Sequence, residues 1–121
     1  MSGLEKRTDT VTEALIYLAS PYTHERPEVM ERRFDMVCRK AGELMLQGHL
    51  IFCPIAHTHP IAVRYGLPRP FDFWKRYDFG MIRRCDEFWI YQIEGWEKSE
   101  GIKRVIAFAL SQGLPVHEIP Y

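Results

Sequence analysis

Residues 14–21 read ALIYLASP, a short apolar run that ends at Ser20-Pro21. An apolar run of this length that stops at a proline is typical of a strand buried on both faces of a parallel sheet. Three further runs of this kind follow: LIFC at 50–53, EFWIYQI at 87–93 and VHEI at 116–119. The sequence therefore predicts four strands, of which the first two are expected to be buried.

Between these strands, apolar residues recur at intervals of three or four. This period predicts three helices, over 28–47, 72–84 and 101–112. Asp72 can cap the second helix, and Gly48 and Gly113 stand where the first and third should end. Because strands and helices alternate, we expect a flavodoxin-like three-layer α/β sandwich with a parallel sheet of core order 2-1-3-4. The proline-rich residues 54–70 are interpreted as a long loop.

The composition is that of a globular protein of ordinary size. The 121 residues are 46% hydrophobic and 26% charged, which predicts one domain over 14–121 preceded by a loose arm over 1–13. Sixteen basic and sixteen acidic residues give zero net charge, so duplex nucleic acid is not an expected partner. The three cysteines lack paired spacing, and no apolar run reaches membrane-spanning length. A cytoplasmic protein without a membrane partner is therefore expected.

An open parallel sheet binds ligands beyond the carboxyl ends of its strands, where the strand order reverses. With the order 2-1-3-4 this point lies between the first and third strands. The loops that begin at Ser20 and Glu94 are therefore expected to face each other. Ser20 and Tyr22 offer hydroxyls in the first loop, although an ordinary Ser-Pro turn explains them equally well.

Cys53, His57 and His59 occur together in the segment CPIAHTHP. They do not predict a metal site, because nothing nearby supplies the remaining ligands at zinc-like spacing. The two histidines are candidates for hydrogen bonds to a sugar or a base, with plain loop structure as the alternative.

Two aspartates, one inside the second predicted helix and one just after it, are candidates for function. Asp78 is a candidate base or partner of a sugar hydroxyl, but its spacing from Lys75 alone favours a solvated ion pair. Asp86 stands just before a strand and is interpreted as a turn or capping residue.

The segment EGWEKSEG at 94–101 follows the third predicted strand. Ser99 and Gly101, at the start of a helix, can present donors to a phosphate or a sugar oxygen. The alternative is that Ser99 simply caps the helix. Trp96 is a further candidate for ligand binding.

Taken together, these segments resemble the nucleoside 2-deoxyribosyltransferase superfamily, which includes the 2′-deoxynucleoside 5′-monophosphate N-glycosidases. The resemblance rests on IYLASPY at 16–22, the spacing of Asp78 and Asp86, and Ser99-x-Gly101 before a helix. The segments PIAHTHPIA and GWEKSEGI look closer still to a small bacterial and phage branch. The resemblance implies cleavage or exchange of the N-glycosidic bond of a nucleoside or its 5′-monophosphate. It further implies a homo-oligomer and no metal or organic cofactor.

Carried over by position, the resemblance assigns roles to individual residues. Tyr17 matches a tyrosine that orients the nucleophile, and Asp78 matches a carboxylate near the sugar and base; these are the two predicted catalytic residues. Ser99 matches a serine that contacts phosphate, and Ser20 and Tyr22 lie in the loop that lines the pocket. The other predicted binding residues are His57, His59, Trp96 and Gly101.

One position departs from the family pattern. The nucleophilic glutamate of the family falls at Val105, which can neither attack nor accept a proton. One interpretation is that Glu100, Glu94 or Asp78 has taken over, for example by activating water directly. Another is a domain that senses or sequesters a nucleotide without turnover, and a third is an artificial replacement at this position. A structural subunit with an aromatic-rich oligomer interface is a further alternative.

Overall fold

The computed structural model describes residues 13–121, so the predicted loose arm over 1–13 lies, apart from Glu13, outside the described residues. The strands are β1 (Leu15–Ala19), β2 (Leu50–Phe52), β3 (Glu87–Gln92) and β4 (Val116–Pro120). The helices are α1 (Pro27–Leu46), α2 (Pro54–Tyr65), α3 (Phe71–Arg83) and α4 (Glu100–Ser111), with a short 3-10 helix at Trp96–Lys98.

All four strands run parallel in the order β2-β1-β3-β4. Tyr17 of β1 stands in register with Phe52 of β2 and Phe88 of β3. The predicted three-layer α/β fold with core order 2-1-3-4 is therefore confirmed, with helices packed on both faces of the sheet. The prediction that the second strand is buried is wrong, because β2 lies at the edge of the sheet, where Leu50 is exposed and Ile51 and Phe52 are half-buried.

The sheet separates two apolar clusters, since successive side chains of a strand point to opposite faces. Tyr17, Phe88 and Ile90 pack against residues of α3 and α4, and we call this the α3/α4 face. Leu18 and Tyr91 pack against residues of α1 and α2, and we call this the α1/α2 face. Adjacent strand positions thus send their side chains into different layers.

The interpretation of residues 54–70 as a long loop is wrong over most of its length, because Pro54–Tyr65 forms α2. Pro54 occupies the first turn, where a missing N–H costs nothing and the fixed φ favours a helix. Pro60 lies inside the helix on its exposed side. In the preceding turn, the Thr58 hydroxyl donates to the Pro54 carbonyl at 2.9 Å. Packing of α2 on the sheet outweighs the hydrogen bond that Pro60 cannot donate.

Asp86 closes the amino end of the sheet. At the amino end, the Leu15 N–H donates to the Asp86 carboxylate and the Asp86 N–H donates to the Leu15 carbonyl, both at 2.8 Å. Asp86 thus ties β1 to β3, as expected of a turn or capping residue.

The predicted cap at Asp72 is not formed: α3 begins after Pro70, and Asp72 lies in its first turn. Among residues 13–121, no helix is long and apolar enough to cross a membrane.

Candidate functional site

The loops that leave β1 and β3 meet through Arg33 of α1. One guanidinium nitrogen, Nη1, donates to the carbonyls of Tyr22 at 3.4 Å and Thr23 at 3.1 Å, both in the loop after β1. The other, Nη2, lies 2.6 Å from the position that a Cβ on Gly95 would occupy. Gly95 also has a φ of +95°, a left-handed backbone conformation that strongly favours glycine. The predicted approach of these two loops is therefore present, and the half-buried side chain of Arg33 lies between them.

The surroundings of Arg33 shift the pKa of its guanidinium in both directions. Burial lowers its pKa, the neighbouring Arg32 lowers it further, and the carboxylate of Glu94 raises it. Arg33 was not predicted from the sequence because, on a helix with many charged residues, no spacing marks one arginine as inward-facing. Only the meeting of the two loops shows its position.

Tyr17 and Asp78 come together on the α3/α4 face. Tyr17 is 2% exposed, and its ring stacks on Phe88 at a centroid distance of 5.3 Å. Burial raises the pKa of Asp78 from its ordinary 3.8 to about 6, and a hydrogen bond with the Tyr17 side chain partly opposes this shift. Burial also raises the pKa of Tyr17, and the nearby Asp78 charge adds to that increase. The pair is a partly buried carboxyl with a neutral tyrosine as its hydrogen-bonding neighbour.

The spacing argument that favoured an Asp78–Lys75 ion pair is therefore wrong. Asp78 precedes the fully buried Ile82 by four residues, and residues at this separation share one face of a helix. Within residues 13–121, Asp78 forms no ion pair. The inward register was present in the sequence and is a better guide than the neighbouring lysine.

Ser20 stands at the carboxyl end of β1, next to the loop that Arg33 holds. It is 5% exposed, and its hydroxyl has no hydrogen-bond partner within residues 13–121. A buried hydroxyl without a partner costs about 1–3 kcal/mol, so such groups usually serve a ligand, an ion or a water. Ser20 is therefore the residue of this loop that is best placed to bind a ligand.

On the α1/α2 face, Tyr22, His59 and Glu31 form a chain of hydrogen bonds. The Tyr22 hydroxyl lies 2.5 Å from His59 Nδ1, and His59 Nε2 lies 2.8 Å from a carboxylate oxygen of Glu31. The His59 ring also stacks on Phe34 at a centroid distance of 4.3 Å. Glu31, Phe34 and His59 line an open groove of about 440 Å³ between α1 and α2.

The two predicted histidines are separated by the helix that sequence analysis missed. Residues two positions apart on a helix point about 200° apart. His59 faces the core with its side chain 5% exposed, whereas His57 is exposed. The structure therefore unites His59 with Tyr22 and leaves His57 outside this group. Glu31 was missed because a surface carboxylate on α1 carries no distinguishing spacing.

The segment after β3 has a largely structural arrangement. The Ser99 hydroxyl accepts from the Ile102 N–H at 3.1 Å, which is the helix-capping alternative considered for this residue. Trp96 packs against the cluster of the α3/α4 face. Gly101 has ordinary space for a Cβ, whose nearest contact would be Ser99 Oγ at 3.8 Å. Val105 is 6% exposed and belongs to the same cluster as Tyr17.

The three cysteines have thiol pKa values above the ordinary range. Burial raises the pKa of Cys53 and of Cys85 to about 11, and burial also raises that of Cys38. The thiolate is the nucleophilic form, so these side chains are poor nucleophiles at neutral pH. Within residues 13–121, no three His, Cys, Asp or Glu side chains are grouped to hold a metal ion.

Comparison with known proteins gives one family. A family model described as "Domain of unknown function (DUF1937)" matches residues 14–120, nearly the whole chain. No curated protein matches the chain. The match includes every candidate residue named above.

Proposed function

The chain belongs to the DUF1937 family, and we propose that it is an enzyme of the nucleoside 2-deoxyribosyltransferase type. It would cleave or exchange the N-glycosidic bond of a nucleoside or its 5′-monophosphate. The proposal rests on one observation, the pairing of Asp78 with Tyr17 on β1, the strand that is followed directly by Ser20 with its unpartnered hydroxyl. A partly buried carboxyl with a raised pKa is typical of acid–base sites, and a parallel sheet binds its ligands at the carboxyl ends of its strands.

Asp78 is the proposed base. With a pKa of about 6 it is mostly ionised at neutral pH, yet it is more basic than an exposed aspartate. It would take a proton from water while the water oxygen bonds to the anomeric carbon. The carbon–nitrogen bond would break with its electron pair leaving on the base. A second free base in place of water would give exchange.

Tyr17 and Ser20 have supporting roles in this proposal. The buried Tyr17 hydroxyl holds the Asp78 carboxyl in one orientation, because the tyrosine ring is itself fixed against Phe88. The Ser20 hydroxyl would bind a sugar oxygen or a phosphate at the strand end. Each supplies hydrogen bonds without a charge of its own.

A second candidate function is nucleotide binding without turnover. It is favoured by Val105, a buried apolar residue where the resembled superfamily has its nucleophile. In this alternative, Ser20 and Arg33 would still form part of a ligand site. The Tyr17–Asp78 pair would then bind the sugar rather than react with it.

The deciding experiment is mass-spectrometric product analysis over a panel of nucleosides and 5′-monophosphates, each with and without a second free base. Wild type, Val105→Glu and the matched uncharged variant Val105→Gln would be compared. Free base or an exchanged nucleoside from wild type supports the enzyme. Turnover by Val105→Glu alone supports the binding protein, and silence from all three overturns the proposed reaction. Calorimetric titration with the same compounds then measures binding separately.

A further inference from the structure

The proton positions along Tyr22–His59–Glu31 follow from the chemistry of its ends. An ionised carboxylate only accepts hydrogen bonds, and Glu31 is exposed to solvent with 64% of its side chain accessible. His59 Nε2 must therefore carry the hydrogen that Glu31 accepts. In the neutral ring, Nδ1 is then bare and accepts from the Tyr22 hydroxyl. This is the arrangement of a hydroxyl, a histidine and an orienting carboxylate that many enzymes use for proton transfer.

We propose that Tyr22 is a second catalytic residue, the proton donor to the leaving base, and that His59 and Glu31 position and resupply its proton. This inference rests on the proposed function. It assigns the other half of the reaction, because Asp78 as a base leaves the departing nitrogen without a proton. No role has been assigned to Glu31 by its sequence position.

In the proposed reaction, His59 first takes up a proton from solvent at its bare Nδ1, and this frees the Tyr22 O–H from its hydrogen bond to that nitrogen. Its Nδ1–H donates to the Tyr22 oxygen, and the Tyr22 O–H points to the leaving base. As the carbon–nitrogen bond breaks, the Tyr22 proton moves to the base nitrogen and the Nδ1 proton moves to Tyr22. Water gives its oxygen to the anomeric carbon and one proton to Asp78. Release of that proton from Asp78 to solvent replaces the proton that His59 took up and restores the resting state.

The placement of the three side chains supports this role over a structural one. They come from three elements: the loop after β1, α2 and α1. His59 is fixed on both ring nitrogens and by stacking on Phe34, whereas Tyr22 is only partly buried. Tyr22 also lies two residues beyond Ser20, in the loop whose carbonyls Arg33 holds. Tyr17, the neighbour of Asp78, lies on the same strand β1, so a ligand at the carboxyl end of that strand lies between the two faces of the sheet.

The environment of the Tyr22 hydroxyl suits a donor. Burial raises its pKa, the nearby Arg69 lowers it and Glu31 raises it, with a net increase. The hydroxyl therefore keeps its proton across the neutral range and gives it up only to a developing anion. The leaving base of an N-glycoside becomes such an anion in the transition state.

The test compares two leaving groups. One substrate is the nucleoside or 5′-monophosphate that wild type cleaves, and the other is 4-nitrophenyl 2-deoxyriboside, whose nitrophenolate departs without a proton. For Tyr22→Phe we expect kcat/KM to fall about 100-fold or more on the nucleoside and by less than about 3-fold on the nitrophenyl compound. The matched control is Tyr65→Phe, at an exposed tyrosine of α2, which should leave both rates unchanged.

The outcomes separate the two proposals. An equal loss on both substrates, or no loss on either, overturns the role of Tyr22 while the proposed function stands. A wild-type chain that cleaves neither substrate overturns the proposed function and this role together.

A spectroscopic measurement tests the positioning residues without turnover. In ¹⁵N spectra of wild type, His59 should show a protonated Nε2 and a hydrogen-bonded, unprotonated Nδ1. Tyr22→Phe should shift Nδ1 toward the position of a free ring nitrogen, and Glu31→Ala should mix the two tautomers. Glu43→Gln on the exposed side of α1 is the control and should change neither signal. The opposite tautomer in wild type overturns the assignment of Tyr22 as the hydroxyl donor.

Discussion

The two faces of the sheet treat an ionisable side chain in opposite ways. On the α3/α4 face, Asp78 is withdrawn from water with a tyrosine as its neighbour, and its pKa rises to about 6. On the α1/α2 face, His59 is buried more completely, yet both ring nitrogens have partners and one partner, Glu31, reaches solvent. One face thus stores an unfavourable ionisation, and the other satisfies a buried polar group in full.

This difference teaches what burial costs and what it provides. A buried carboxylate without a cation destabilises the ionised fold, and that cost is the same free energy that makes it a stronger base. A buried histidine with two hydrogen bonds stabilises the fold and fixes the direction of a tyrosine hydroxyl. Four variants sharpen or break this contrast, in order of decreasing effect.

The largest effect is expected on turnover when Asp78 is changed. Asp78→Asn keeps the size of the side chain but cannot take a proton, so kcat should fall about 1000-fold on any substrate found in the panel. Asp72→Asn, at an exposed aspartate of the same helix, is the control and should retain full activity. Full activity of Asp78→Asn would remove this residue from the mechanism and end the contrast between the faces.

The next effect is on stability at the α1/α2 face. His59→Ala removes two hydrogen bonds and the stacking on Phe34 and leaves a cavity, so the free energy of unfolding should fall by about 3 kcal/mol. His57→Ala, two residues away on the exposed side of α2, should change it by less than about 0.5 kcal/mol. Urea unfolding of both variants measures the difference. Equal effects would show that the chain from Tyr22 to Glu31 does not stabilise the fold.

On the opposite face, the same kind of measurement should give the opposite sign. The pKa of Asp78 is about 6 in the folded chain and 3.8 in the unfolded chain, so folding disfavours ionisation of this carboxyl. This cost is absent below about pH 4, grows as the pH rises through the interval, and is complete above about pH 6. Asp78→Asn should therefore stabilise the chain by about 2 kcal/mol at pH 7 and by almost nothing below pH 4.

Thermal or urea unfolding at several pH values would follow this gain. A variant that is less stable than wild type at pH 7 would show that the Tyr17 hydrogen bond outweighs burial. The buried ionisable side chain would then stabilise the fold on both faces of the sheet.

The smallest effect concerns Ser99, near the α3/α4 face. The Ser99 hydroxyl accepts a hydrogen bond from the Ile102 N–H, and Ser99→Ala removes it. The free energy of unfolding should therefore fall by about 1 kcal/mol. Ser99→Asp should keep the cap and the stability, while its charge would weaken binding of a 5′-monophosphate relative to the nucleoside. Calorimetry with both ligands makes this comparison. Unchanged monophosphate binding in Ser99→Asp would leave Ser99 a helix cap only.

Parts of the candidate site were open to prediction because local rules govern them. The order of apolar strands and helices predicted a parallel sheet, and the switch point then placed Ser20 and the loop after β3 at its carboxyl edge. The pattern of α3 also held the inward position of Asp78, which shares a helix face with Ile82. The neighbouring Lys75 led to the wrong interpretation because ion-pair spacing ignores which side of the helix is packed.

Other parts could not be predicted, since they depend on contacts between distant segments. Pro54 and Pro60 made α2 look like a loop, and its helical form comes from packing against the sheet. With α2 misread, His57 and His59 looked equivalent. Glu31, which completes the chain with Tyr22 and His59, and Arg33, which holds the loop after β1, lie on α1 among many charged residues and carry no local signal.

The amino-acid sequence by itself determined the four strands, the parallel order of the sheet and the edge at which a ligand is expected to bind. These follow from hydrophobic burial and chain connectivity, which short-range patterns record. The tertiary structure alone decided that Asp78 loses its water beside Tyr17 and that His59 joins Tyr22 to Glu31. Desolvation and side-chain hydrogen bonding act through space between elements, so no spacing along the chain encodes them.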